Sequence, residues 1–311
     1  MSTIGLGSLK TDRNELLKEG VIRRLFDTTT KATPSYYEKL VKEKKASDYT
    51  YRDRQIAGLG LATKVADGAN SPIDAPILGG YKDYNQSRFM LGFRMTHGMD
   101  MFNKYDLWQK QVKSLARSMK VSKDIEIHKM FNGPTSTTLD CGTGFDGLAI
   151  ANATHTGLDS SITTDNYSNY LNAALSYSAL ESGRYYYKTL HDDRGILIGG
   201  DANLLVIEPT LYPTAAEILK SDKKAYTPDN TANVAKEMGL SIYEDPRLTS
   251  TTAWFLADTK SDLYDFQVLT AQEPELIIKD APDFTRDRVA TSEQWFSYGW
   301  GDARCIYWGK A

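Results

Sequence analysis

Gly142, Gly144 and Gly147, inside "CGTGFDGLAI" at 141–150, have the G-x-G-x-x-G spacing with which a strand, turn and helix hold a dinucleotide. That chemistry needs a context: the first glycine makes a tight turn out of a strand, and the helix that follows points its N-terminus at the pyrophosphate. Asp165 stands at a suitable separation for the acid that binds a ribose hydroxyl. The residues before Gly142, "NGPTSTTLD", are polar and small, and the run after Gly147 soon reaches Gly157. Neither strand nor helix is expected, so an irregular loop that needs glycine for positive φ is favoured over a nucleotide site. The run "HDD", His191 to Asp193, has metal-ligating side chains, but no second cluster at ligand spacing stands nearby and a polar turn is expected. His97, His128 and His155 are scattered singly. Cys141 and Cys305 form no C-x-x-C, which favours a reducing place of synthesis. There is no G-x-S-x-G elbow, no phosphate-binding G-x-x-x-x-G-K-[ST] and no H-E-x-x-H. No catalytic residue, cofactor site or metal site is expected.

The elements around these residues say more. With 311 residues the chain is long enough for one large domain or two ordinary ones. Its 37 Lys and Arg against 40 Asp and Glu leave a net charge of -3, without the basic excess of a dedicated nucleic-acid binder. No stretch approaches the roughly 18 apolar residues of a membrane span, and the N-terminus lacks a signal pattern, so a soluble product is expected. Asp12 and Glu15 form a capping box ahead of a helix over about 12–26, and "PSYYEKLVKEKKA" from Pro34 predicts a second, thinly apolar one. Residues 51–66 and 81–95 predict a long two-stranded element, with Phe89, Leu91, Phe93 and Met95 alternating along one face. It carries too little apolar surface for a core of its own and should lie on another surface, that of a second chain included.

From 101 to 132 the period becomes helical, with Trp108, Val112, Leu115 and Met119 on one side and Lys110, Lys113, Arg117 and Lys120 on the other. The basic stripe reads as a solvated face or as a surface for an acidic partner or nucleic acid. A helix over 167–190 is expected, then a strand at "NLLVIEP", helices at "YPTAAEILK" and "TANVAKEMG", and strands at "AWFLAD", "DFQVLTA", "ELIIK" and "ARCIYWG". The economical description is an α+β fold with long extensions. With 19 tyrosines the chain is rich in aromatic side chains suited to interfaces, and the residues point to assembly.

Five landmarks in order carry a resemblance: the long helix ending "MFNG", leading to "DGLAIANATH"; the tyrosine-rich helix closed by "DDRG"; "LLVIEPTLYPTAAEIL"; "DNTANVAKEMG" before "AWFLAD"; and "GWGDARCIYWG". On these the chain resembles the major capsid proteins of tailed phages, with the Hong Kong 97-type fold, and particularly the Mu-type head-protein group. The match covers about 100–311 well and the first 99 residues by layout; Thr156 replaces the family's proline. The resemblance implies an N-terminal arm at 1–46 and an extended loop at 47–98 that lies over a neighbour. It implies a peripheral domain with the spine helix at 99–165 and 272–298, and an axial domain with a central sheet flanked by helices at 166–271 and 299–311.

It further implies an icosahedral head shell around the double-stranded DNA genome, built of pentamers and hexamers in the host cytoplasm, with scaffolding, portal and decoration proteins as partners and no membrane. Phe89, Leu91, Phe93, Gly142, Gly144 and Gly147 are expected at subunit interfaces. Lys110, Lys113, Arg117 and Lys120 are expected to face the lumen, where their partner is packaged DNA, touched weakly, or a scaffolding protein. Lys64 and Lys82 lie where some relatives form cross-links, but no partner for such chemistry is apparent. The alternatives are a nucleotide-binding enzyme using the glycine loop and an encapsulin-like compartment shell of the same fold.

Overall fold

The computed structural model describes residues 19–102, 105–158, 166–223, 232–281 and 287–310. The expected capping box at Asp12 and Glu15, and Asp165, lie outside the described residues.

Helix α1 (Glu19–Ala32) runs beyond the expected end at 26. Its threonines are tolerated because Thr28, Thr29 and Thr30 donate their hydroxyls to the carbonyls four residues back, at 2.7, 2.7 and 3.0 Å. After a single 3-10 turn at Tyr37–Lys39 comes strand β1 (Lys42–Lys45), so the second expected helix is absent. Pairing overrides the helical propensity of "KEKK": β1 lies parallel to Gln267–Thr270 and covers that edge.

Strand β2 (Thr50–Ala57) pairs with β3 (Ile77–Asn85) in a hairpin, and β4 (Ser87–Met95) leaves it for a different sheet. The expected two-stranded element is therefore divided at Gln86, whose backbone N–H donates to Tyr49 O at 2.9 Å and whose buried amide donates to Ser297 at 3.0 Å. Short helix α2 (His97–Met101) precedes the long α3 (Tyr105–Asn132). Trp108, Val112, Leu115 and Met119 of α3 are buried against Ile22 and Phe26 of α1 and against Met95, Leu276 and Ala290.

The four-stranded sheet has the order β1-β9-β10-β4, built on two long strands, β9 (Phe266–Asp280) and β10 (Arg288–Trp300). β9 unites "DFQVLTA" and "ELIIK", expected as separate strands. Glu273 and Pro274 together face Gln294 as a bulge, so the proline sits where the ladder is already interrupted. The first half of β10 escapes sequence reading because its inward residues Ala290, Ser292 and Gln294 are small or polar, and the aromatic Phe296, Tyr298 and Trp300 follow only in the second half. The buried Gln294 amide donates to Met119 O at 3.0 Å, a tertiary bond that no hydrophobic alternation announces.

The five-stranded sheet has the order β5-β11-β8-β6-β7, from β5 (Tyr170–Leu171), β11 (Ile306–Gly309), β8 (Trp254–Ala257), β6 (Leu204–Ile207) and β7 (Ser241–Glu244). One face is covered by α4 (Tyr177–Lys188) and α5 (Tyr212–Lys220). The other meets α3 and the four-stranded sheet in an aromatic core, where Phe131 stacks on Phe255 at 5.4 Å and Phe255 on Trp308 at 4.7 Å. Buried on both faces, β8 and β11 are continuously apolar. Helix α4 is shorter than the expected 167–190. Ser176 caps it by accepting from Ala179 N at 3.2 Å, while the buried Asn169 upstream donates to Ile150 O and Ala303 O. The segment before Gly239 is a 3-10 turn, Val234–Met238, closed by that glycine at φ 67°.

Candidate assembly surfaces

The glycine loop has neither a strand before Gly142 nor a helix after Gly147. Gly142 and Gly147 hold φ of 70° and 75°, with open space where a Cβ would stand. Gly144 serves a different end, close approach: a Cβ there would lie 2.8 Å from Gly301 O and 3.1 Å from the Trp300 indole nitrogen. Phe145 N donates to Gly301 O at 2.9 Å, and the Phe145 carbonyl lies against Gly80 of β3. The loop is thus wedged between the hairpin and the turn that follows β10. At its far end Asp146 accepts from His155 at 2.6 Å, and His155 stacks on Tyr167 with centroids 4.7 Å apart.

That aromatic pair leads to a buried charge cluster. Tyr167 donates to Asp302 at 3.4 Å, Arg304 donates to Asp302 at 3.0 Å and to Asp193, and the Gln55 amide donates to Asp193 at 3.1 Å. Burial alone would lower the Arg304 pKa, but Asp302 and Asp193 raise it well above the ordinary value. The expected "HDD" turn is present, with Asp192 accepting from Arg194 N and Ile196 N, both at 2.8 Å. Asp193 and the Arg194 that follows it have a role that sequence reading missed: both hold the hairpin where its strands give way to the 58–76 loop. Arg194 donates to Gly58 O at 3.1 Å and Ala75 O at 2.6 Å, and its nearest carboxylate is Asp74 at 3.5 Å. The signal that finds such a contact is spatial, because the partners lie more than a hundred residues apart. Among the described residues no group of three His, Cys, Asp or Glu side chains is placed to hold a metal ion.

Beyond this grip the loop carries apolar side chains in solvent, among them Leu59, Leu61 and Ile73, the last 96 % exposed, and Leu78 stands exposed on β3 itself. Lys64 stands exposed in the same segment. At the hairpin's other end Lys82 is buried, donating to Trp300 O at 2.8 Å and lying 4.3 Å from the Trp300 ring centroid. Burial pulls its pKa down to about 8, against a smaller upward pull from Cys141 and Asp265. A cavity of about 560 Å³ opens beside it, between the hairpin base and Cys141–Gly144.

The residues expected at subunit interfaces are dispersed within the subunit. Phe89 stacks on Phe296 at 4.6 Å, Phe93 joins the core under α1 and α3, and Leu91 is exposed. On α3, Lys110, Lys113 and Arg117 are exposed and make no ion pair among the described residues. Lys120 is engaged, donating to Glu38 at 3.1 Å beside the Tyr37 ring. One turn on, the buried Lys123 reaches Glu43 and Thr270. The stripe's C-terminal end is therefore occupied by the chain's own N-terminal segment.

Comparison with known proteins identifies this architecture. A model of the phage capsid protein family matches residues 82–309, and the chain belongs to that family. No curated protein sequence matches it. Solved structures share the fold at low identity. The capsid of cyanophage P-SCSP1u matches at TM-score 0.56 and 12 % identity, over 90 % of this chain and 88 % of that one. The procapsid of bacteriophage JBD30 matches at 0.53 and 10 %, over 100 % and 76 %, and a virus-like particle from Pyrococcus furiosus at 0.52 and 9 %, over 94 % and 98 %. The fold is the Hong Kong 97-type capsid fold, and the chain is a shell-forming capsid protein of the virion.

Proposed function

We propose that this capsid protein assembles as pentamers and hexamers into the closed icosahedral head of a tailed phage, around double-stranded DNA, in the host cytoplasm. The observation that carries the reading is the hairpin, whose Leu59, Leu61, Ile73 and Leu78 stand in solvent and belong to none of the three buried cores of the described residues. Contiguous exposed apolar surface on a soluble protein marks an interaction site. In a closed shell each such contact can be modest, because every subunit makes several at once.

On this reading residues 1–46 are the arm and 47–98 the loop laid over a neighbour. Residues 99–165 and 272–298 form the peripheral domain, and 166–271 with 299–311 the axial domain. Lys110, Lys113 and Arg117 line the lumen, where they meet DNA weakly; scaffolding, portal and decoration proteins complete the particle. The nearly balanced overall charge suits a wall that must release its contents.

Negative-stain microscopy of the expressed protein, alone and with its scaffold, tests the proposal: uniform closed shells are expected. Replacing Leu59, Leu61 and Ile73 together by serine is expected to leave the subunit's thermal unfolding unchanged and abolish shells. Shells that form equally well from this variant would overturn the assignment of the hairpin.

A further inference from the structure

His128 lies on α3 where three parts of the chain meet, and both of its ring nitrogens face oxygen acceptors. Nδ1 is 2.5 Å from the carbonyl oxygen of Asp124, and Nε2 is 2.8 Å from Oδ2 of Asp245. A neutral imidazole has one N–H and cannot donate at both ends, whereas an imidazolium can. The ring is buried, so solvent does not replace either partner.

Asp124, itself buried, spends its carboxylate on other elements. Oδ1 accepts the backbone N–H groups of Tyr36 and Tyr37 at 3.0 and 3.1 Å, and Oδ2 accepts from Arg247 Nε at 2.9 Å. Asp245 accepts Arg247 N through its other oxygen at 2.9 Å. Around them, Lys120 and Lys123 of α3 point to Glu38 and Glu43 of the N-terminal segment. From β7, Tyr243 donates to Tyr36 O at 2.8 Å, with Lys39 over its ring at 4.6 Å. The central cluster is two carboxylates, one guanidinium and the imidazole. It is balanced when the ring carries two protons and holds an excess buried negative charge when it carries one.

We propose that His128, as an imidazolium, is a positioning residue that fastens the N-terminal segment 34–45 onto α3 by way of Asp124, and that loss of its proton loosens this segment ahead of the rest of the fold. Burial by itself would make the ring less basic, but the hydrogen bond and charge of Asp245, then those of Asp124, outweigh it and hold the His128 pKa above the ordinary histidine value. The sign follows: the clamp is complete below the ordinary value of about 6.5 and is lost as pH rises through the higher folded value.

Amide hydrogen exchange on the full chain tests this, with intrinsic exchange rates corrected for pH. Protection at Tyr36 and Tyr37 is expected to fall in one single-proton step that begins near the ordinary histidine value of about 6.5 and is complete above the raised folded value, by about tenfold for each pKa unit by which the folded value exceeds the free one. Amides of β6 and β8 should show no such step, and His128→Gln should remove it. Protection that stays flat in the wild type, or a step that survives in His128→Gln, overturns the proposal. Should that variant fail to fold, the wild-type ring titration by NMR decides. A midpoint matching the amide step supports the clamp, and a ring holding a single proton across the range overturns it.

Discussion

At the scale of single residues, the three glycines of 142–147 obey two different constraints. Gly142 needs positive φ and has free space, so Gly142→Ala should cost only the left-handed penalty, about 1 kcal/mol. Gly144 needs the absence of a side chain, because Gly301 O and the Trp300 indole cannot move aside cheaply. Gly144→Ala should cost about 1–3 kcal/mol and be the more damaging of the two in thermal unfolding of the subunit. Lys82 gives an opposite expectation. Its folded pKa of about 8 lies below the ordinary value of 10.5, so the unfolded chain holds the proton more tightly. Stability then rises with pH between those values, and below pH 8 the buried ammonium costs about 3 kcal/mol before its bond to Trp300 is counted. Lys82→Met should unfold at a higher temperature than wild type at pH 7 and lose that advantage towards pH 10.5. An advantage equal at both pH values would show that the ammonium is not what burial penalises.

At the scale of elements, sequence periodicity found those with one apolar face or none exposed. The α3 stripe of Trp108, Val112, Leu115 and Met119 is buried as its spacing required, and the β8 and β11 runs are continuous strands. β10 was illegible because the hidden face of its first half is Ala290, Ser292 and Gln294, small or polar residues of which the Gln294 amide is met by an α3 carbonyl. β1 was illegible because "KEKK" is a strand by virtue of its partner alone. Of the site, the loop character of 141–147 could be read from its polar surroundings, while the grip of Asp193 and Arg194 on the hairpin could not, since it joins residues remote in sequence. Arg194→Ala removes both backbone contacts to the segment 58–75, worth about 1–2 kcal/mol. Limited proteolysis within that segment should quicken by about tenfold in the free subunit, with cleavage elsewhere unchanged.

At the scale of the whole molecule, the engagement of Lys120 by Glu38 separates two roles along one helix face. Reversing Lys120 would break an internal contact, so a test of the lumenal reading should reverse Lys110, Lys113 and Arg117 only. Subunit stability should then shift by no more than about 0.5 kcal/mol, while filled heads become fewer relative to empty ones; an unchanged ratio would remove these residues from contact with DNA. The division of the chain at Gln86 has a mechanical meaning as well. Tension drawn along the hairpin enters β4 lengthwise, and β4 is held to β10 by nine consecutive antiparallel pairs. A pull parallel to the strands loads all nine in shear together, whereas peeling from one end would open them singly. If neighbours hold the hairpin, outward pressure from a packed genome would reach each subunit along its most resistant direction.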